Sequence, residues 1–152
     1  MSALARYFNA QGCLVAGYDK VQTPLTIELE QEGIRVHYSE DVNLVKALLE
    51  YDGWLEETII VYTPAVFKVH AELEYLRNAG CRVLKRSELL GLITENTNTI
   101  AVAGTHGKTT TSTLIAHILK NAGLDVTAFL GGISSNYNTN LLLGKDRSSK
   151  AV

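Results

Sequence analysis

The sequence predicts an α/β fold: a doubly wound parallel sheet, followed by the opening of a phosphate-loop domain. Three observations carry this expectation. Short apolar strand segments alternate with helical segments along residues 1–94, with glycine at most of the joints. The β-branched run TIIVY (58–62) has the texture of a strand covered on both faces. A second apolar run, TIAVA (99–103), leads straight into a glycine-containing loop and a further helix.

Taken in order, Ser2 stands where a cap opens a first helix carrying Leu4, Ala5, Phe8 and Ala10, and Gly12 where a left-handed cap closes it. CLVAGY (13–18) is the first strand and ends at Asp19. Thr23-Pro24 joins a cap to a first-turn proline and opens a helix that Gly33 closes. Ile34 to His37 is a short strand, Asn43 to Tyr51 a helix, and Thr58 to Tyr62 a strand. A helix from about Lys68 to Ala79 stops at Gly80, Arg82 to Leu84 is a strand, and Ser87 caps SELLGLI. A doubly wound domain ordinarily opens with a strand that feeds its first helix through a Gly-rich turn. This sequence opens on the helix, so the expectation is a Rossmann-like parallel sheet lacking its first, central strand and that turn.

The polar tetrad at 95–98 marks a boundary, giving one domain over 1–96 and a second over 97–152. In the second, Val126 to Leu130 is a strand, followed by Gly131-Gly132 and the polar stretch SSNYNTN (134–140). Lys150-Ala151-Val152 has the look of another strand's start.

Composition narrows the function classes. Apolar residues are 46% and charged residues 20% of the 152, which excludes a disordered chain. Fourteen Lys and Arg against sixteen Asp and Glu leave a net charge of −2, so the electrostatic drive for bulk nucleic-acid binding is absent. No apolar run approaches the ~20 residues that span a bilayer, and residues 1–12 hold no secretory signal. Cys13 and Cys81 stand apart, at neither zinc nor redox spacing, and are expected to be buried thiols of a reducing, cytoplasmic compartment.

The chemistry concentrates in Gly104-Thr105-His106-Gly107-Lys108-Thr109-Thr110. This is a shortened phosphate loop, GxxGKT, with Val102 where the longer pattern has its first glycine. Backbone N–H groups beside the glycines and a helix N-terminus favour phosphate oxygens. Lys108 would reach the β- and γ-phosphates of ATP, and the Thr109 hydroxyl would ligate Mg²⁺. His106 has no acid partner nearby and reads as a polar residue facing nucleotide or solvent rather than a general base. Asp19, at a strand end, is either a ribose ligand or a solvated carboxylate. Thr63-Pro64-Ala65, after TIIVY, is either part of a ligand site at a strand's carboxyl end or a plain proline turn. His37, His70 and His117 are scattered, with no partner at metal-ligand spacing.

AVAGTHGKTTTS (101–112) resembles the ATP loop of the Mur ligases, the peptidoglycan enzymes that add amino acids to a UDP-sugar. MSALARYF (1–8), GYDK (17–20), TPLT (23–26), VYTPA (61–65) and KRSELLG (85–91) resemble the branch that joins L-alanine to UDP-N-acetylmuramate. A murein-peptide recycling ligase of the same superfamily shares the loop and is the alternative, with a non-ligase nucleotide-binding module beyond it. The resemblance implies that residues 104–110 hold ATP, with Lys108 as the catalytic cation and Thr109 near Mg²⁺. It places Asp19 and the Thr63–Ala65 turn against the UDP-sugar. It implies an acyl phosphate on the muramate carboxylate, attacked by the amine of L-alanine. The family carries a strand and a GxGGxG turn directly before the Met-Ser that is here Met1-Ser2, and an acidic Mg²⁺ motif beyond the position of Val152. The resemblance therefore implies a chain truncated at both ends, inactive as it stands and prone to self-association.

Overall fold

The computed structural model describes residues 1–50, 57–65, 70–95, 97–145 and 150–151. They form two compact units: Met1 with Ala16–Gly91, and Ser2–Val15 with Leu92–Val152. In chain order the helices are α1 (Ser2–Ala10), α2 (Pro24–Gln31), α3 (Val42–Glu50), α4 (Ala71–Asn78), α5 (Arg86–Thr94) and α6 (Lys108–Asn121). The strands are β1 (Ala16–Tyr18), β2 (Arg35–His37), β3 (Ile59–Tyr62), β4 (Arg82–Lys85), β5 (Val126–Ser134), β6 (Thr139–Leu142) and β7 (Lys150–Ala151).

In the first unit β1 pairs in parallel with β2, and β3 in parallel with β4. Each pair is joined by a crossover helix, as parallel pairing demands. Thr23 caps α2 with a reciprocal box: its hydroxyl accepts from the Thr26 N–H at 3.2 Å, while Thr26 Oγ1 accepts from the Thr23 N–H at 2.8 Å. Gly33 closes that helix with φ 88°, which lets the Ile34 N–H reach back to the Leu29 carbonyl at 3.0 Å. Val45 and Leu49 of α3, Leu76 of α4 and Cys81 make a buried cluster, with Ile60 of β3 against it.

Among the described residues the expected single parallel sheet is not formed, and the unit holds two separate pairs. In a doubly wound sheet the first strand lies between the two halves, and neither β1 nor β3 has a second strand neighbour among the described residues. TIIVY is accordingly not covered on both faces, since Ile59 remains 42% exposed. Ser87 does not cap α5. The helix starts at Arg86 directly from β4, and the Glu88 carboxylate accepts from the Lys85 N–H at 2.7 Å. The expected start of α4 near Lys68 lies outside the described residues, as do Tyr51, Asn96 and Val152; the helix itself begins at Ala71, with His70 at the N-cap position and no side-chain capping bond.

The second unit is built on β5. It pairs antiparallel with β6 and in parallel with β7. The strand runs on through Gly131-Gly132 to Ser134, and the polar stretch after it turns back as a hairpin, with Asn138 at φ 49°. Ala116 of α6, Val126, Ala128 and Leu130 of β5 and Leu142 of β6 form its buried core. α1 lies against this hairpin: Tyr7 and Phe129 rings are 5.3 Å apart, and Ser2 Oγ accepts from Asn140 Nδ2 at 2.7 Å. Ser2 is thus the first residue of the helix rather than its cap. Residues 99–103 are not a strand, because no neighbouring backbone pairs with them among the described residues. Cys13 is exposed, because β1 begins only at Ala16; Cys81 is buried. No helix among the described residues is long and apolar enough to cross a membrane.

Candidate functional site

The loop before α6 brings its predicted residues together. Gly104 has φ 153° and Gly107 φ 75°, both in territory that side chains with a Cβ rarely enter. A Cβ on Gly107 would meet nothing within 4 Å, so there the conformation, not the space, requires glycine. Gly107 is also the N-cap of α6 and has no side chain to cap it. The first intrahelical bond is Thr111 N–H to Gly107 O at 2.9 Å. The amides of Lys108, Thr109 and Thr110 precede it, at the positive end of a 14-residue helix. All of residues 104–110 are exposed. Lys108 Nζ donates to the carbonyl oxygens of Gly104 at 2.5 Å and Thr105 at 3.2 Å. Amides, an ammonium and hydroxyls converging on one exposed helix start can hold a phosphate chain. His106 sits at the bend of the loop.

Thr109 lies close to β5. A Cβ built on Gly131 would be 2.6 Å from Thr109 Oγ1, and one on Gly132 3.6 Å from its Cγ2. Among the described residues no group of three or more His, Cys, Asp or Glu is arranged to hold a metal ion.

In the first unit Asp19 follows β1 at its carboxyl end. Its N–H donates to the His37 carbonyl at 3.1 Å, and Oδ1 accepts from the Val21 N–H at 3.2 Å. Thr63 is half-buried after β3, with Pro64 and Ala65 exposed beside it. The structure adds a cluster at these strand ends that the sequence does not announce. His37 Nε2 lies 2.9 and 3.1 Å from the two carboxylate oxygens of buried Glu72, which also accepts from the Asp41 N–H at 2.6 Å. Tyr18 sets its ring 4.7 Å from that of His70. The start of α4 is thereby held over the ends of β1 and β2. Residues 37 and 72 are 35 apart in sequence, one on β2 and the other on α4. His117 is likewise structural, its Nδ1 2.8 Å from Tyr137 Oη.

Residues 1–97 match the Mur ligase family, catalytic domain, and residues 102–150 the Mur ligase middle domain. The chain belongs to the Mur ligase family. Among its Mur ligase relatives, the UDP-N-acetylmuramate–L-alanine ligase of Porphyromonas gingivalis is 54% identical over 153 residues, covering 100% of this chain and 32% of the relative. That of Christiangramia forsetii is 50% identical over 147 residues, covering 97% and 32%. The chain thus spans about a third of the length of these relatives. Among solved Mur ligases, the UDP-N-acetylmuramate-alanine ligase of Thermotoga maritima superposes with TM-score 0.80 at 28% identity, over 99% of this chain and 34% of that one. The UDP-N-acetylmuramate:L-alanyl-gamma-D-glutamyl-meso-diaminopimelate ligase of Neisseria meningitides gives 0.82 at 25%, over 99% and 47%.

Proposed function

We propose that these residues carry the UDP-sugar-binding portion, on a Rossmann-like sheet, and the opening phosphate loop of a ligase that joins L-alanine to UDP-N-acetylmuramate with ATP. The observation that carries the reading is the GTHGKTT loop, seated as an uncapped, exposed helix start with Lys108 folded over its carbonyls. The identity of 54% to an alanine-adding ligase favours that branch over the recycling ligases. Structure alone does not separate them, at TM-scores of 0.80 and 0.82.

When bound, ATP supplies the phosphoryl group that activates the muramate carboxylate, and Mg²⁺ neutralises charge between the phosphates. The chain's own part is positional and electrostatic. The amides at the start of α6 would hold the phosphate chain, with Gly104 and Gly107 giving the loop its path. Lys108 would exchange its two carbonyl contacts for phosphate oxygens and offset the charge that builds on the transferring group. Thr109 would offer one oxygen to Mg²⁺. Such an ion takes most of its shell from water, phosphate and one or two carboxylates, so Thr109 would supply only one of its ligands. Thr105, His106 and Thr110 would line the same cradle. Asp19 and the turn Thr63-Pro64-Ala65 would face the uridine nucleotide at the strand ends, where open α/β sheets take ligands. We further assign the division of labour to residues 1–96 and 97–152, and the locale to the cytoplasm. The free edges of β1 and β3 would flank the strand that completes the sheet.

The decisive experiment is ATP binding by Lys108→Ala in a ligase of the relatives' full length carrying this segment. Loss of binding supports the reading, and an unchanged dissociation constant would sink it.

A further inference from the structure

We propose that Gly131 is a positioning residue for the Thr109 hydroxyl, and through it for the divalent cation of the bound nucleotide. The inference rests on the phosphate-loop reading above and adds a residue from a different element, β5.

Two consecutive glycines in the middle of a strand weaken it, since neither offers a side chain to pack. β5 nevertheless continues through Gly131 and Gly132 to Ser134. Backbone conformation does not explain Gly131, which is not among the positive-φ residues. Bulk does not explain it either, because the position is exposed. The constraint is one atom. A Cβ on Gly131 would lie 2.6 Å from Thr109 Oγ1, a separation that real side chains do not tolerate. The same Cβ would lie 3.7 Å from Thr109 Cβ and 4.0 Å from Cγ2, both ordinary contacts. The threonine hydroxyl, and no other part of the residue, occupies the space that glycine leaves open.

Threonine is branched at Cβ, so its hydroxyl takes only a few directions in the first turn of a helix. Any side chain at 131 forces the hydroxyl to another of them or pushes β5 from α6. In either case the oxygen leaves the place it now holds against β5. Thr109 would then no longer present its oxygen to a divalent cation, while Lys108 and the loop amides would keep their phosphate contacts. Substitution at 131 should therefore impair the metal-dependent part of nucleotide binding and spare the rest.

The test uses Gly131→Ala, Thr109→Ala, their double variant and Lys108→Ala in a full-length ligase carrying this segment. ATP affinity is measured with Mg²⁺ and with EDTA, and stability by urea. Gly131→Ala should weaken Mg·ATP binding about tenfold, the lower end for residues that orient a metal ligand, and leave ATP binding in EDTA unchanged. Thr109→Ala should give the same pattern. In the double variant the urea midpoint lost in Gly131→Ala should return, since the clashing oxygen is gone, while Mg·ATP binding stays weak. A Gly131→Ala protein with normal Mg·ATP affinity, beside a Lys108→Ala protein that has lost ATP, overturns the role of Gly131 alone. So does a urea midpoint that falls in Gly131→Ala and stays as low in the double variant. ATP binding unmoved by Lys108→Ala overturns the phosphate-loop reading and this inference with it.

Discussion

Lys108 donates from Nζ to the carbonyl oxygen of Gly104, four residues back, at 2.5 Å. With the Thr105 carbonyl at 3.2 Å, this contact closes the loop on itself around a single ammonium. The charge is therefore already held at the mouth of the cradle, and phosphate binding needs only a swing of one exposed side chain. Lys108→Ala is expected to weaken ATP binding by roughly 2–5 kcal/mol, the scale for deleting one partner of a close charged contact. Lys108→Arg should not restore it, because a planar guanidinium does not replace a compact ammonium inside so short a loop. Isothermal titration of ATP into both variants checks this.

Asp19 makes a second, separable prediction. Its exposed carboxylate sits at the carboxyl end of β1, with its own N–H tied to the His37 carbonyl at 3.1 Å. Asp19→Ala should raise KM for UDP-N-acetylmuramate more than KM for ATP, with kcat little changed. A ribose contact formed equally in ground and transition states gives that split. Equal effects on both substrates would make Asp19 a turn residue only.

Much of the fold was legible because it rests on local signals. The Thr23-Pro24 cap, the helix stop at Gly33 and the α6 start after Gly107 each depend on residues within one turn. What the sequence misplaced depends on neighbours. Residues 99–103 read as a buried strand from their side chains, yet a strand exists only where another backbone pairs with it. The hairpin that returns β5 to β6 was hidden because Thr139 and Asn140 look like loop residues. At the candidate site the loop was legible and its supports were not. Gly131 carries no chemistry of its own, and the Glu72–His37 pair bridges 35 residues.

That pair yields a stability prediction. Glu72 is 4% exposed and satisfies the Asp41 N–H at 2.6 Å as well as His37. Glu72→Ala would leave a backbone donor and an imidazole without their acceptor, a loss of about 1–3 kcal/mol. The urea midpoint should fall accordingly, and an unchanged midpoint would show the contact to be dispensable.

The two cysteines should differ in reactivity. Cys13 is exposed, whereas burial pushes the Cys81 thiol above its ordinary pKa. At neutral pH the folded chain should take up one iodoacetamide, at Cys13, and a second only in urea, as intact mass would show. The fold accommodates the neutral Cys81 thiol. Its contribution is complete below the ordinary thiol pKa and is lost as pH rises through the raised one.

The last prediction concerns the 152 residues by themselves. They should not catalyse ligation. Thr109 offers Mg²⁺ one oxygen, and no cluster of acidic or other metal-ligating side chains stands near it among the described residues. The relatives are about three times longer, at 32% coverage, and the amine-binding and remaining ATP-binding groups are expected in that further length. Positioning of reactants alone contributes about 7–11 kcal/mol to such reactions, and losing it removes measurable turnover. Among the described residues β1 and β3 each lack a second strand neighbour, and edges of that kind would recruit strands from other chains. Leu114 and Ile118 add apolar surface on α6, at 54% and 62% exposure. The chain should therefore elute from size exclusion as a dimer or larger, increasingly so with concentration. Phosphate release is measured in parallel with ATP, Mg²⁺, UDP-N-acetylmuramate and L-alanine. Alanine-dependent phosphate release from a clean monomer would place the active site within these residues and refute the prediction on both counts.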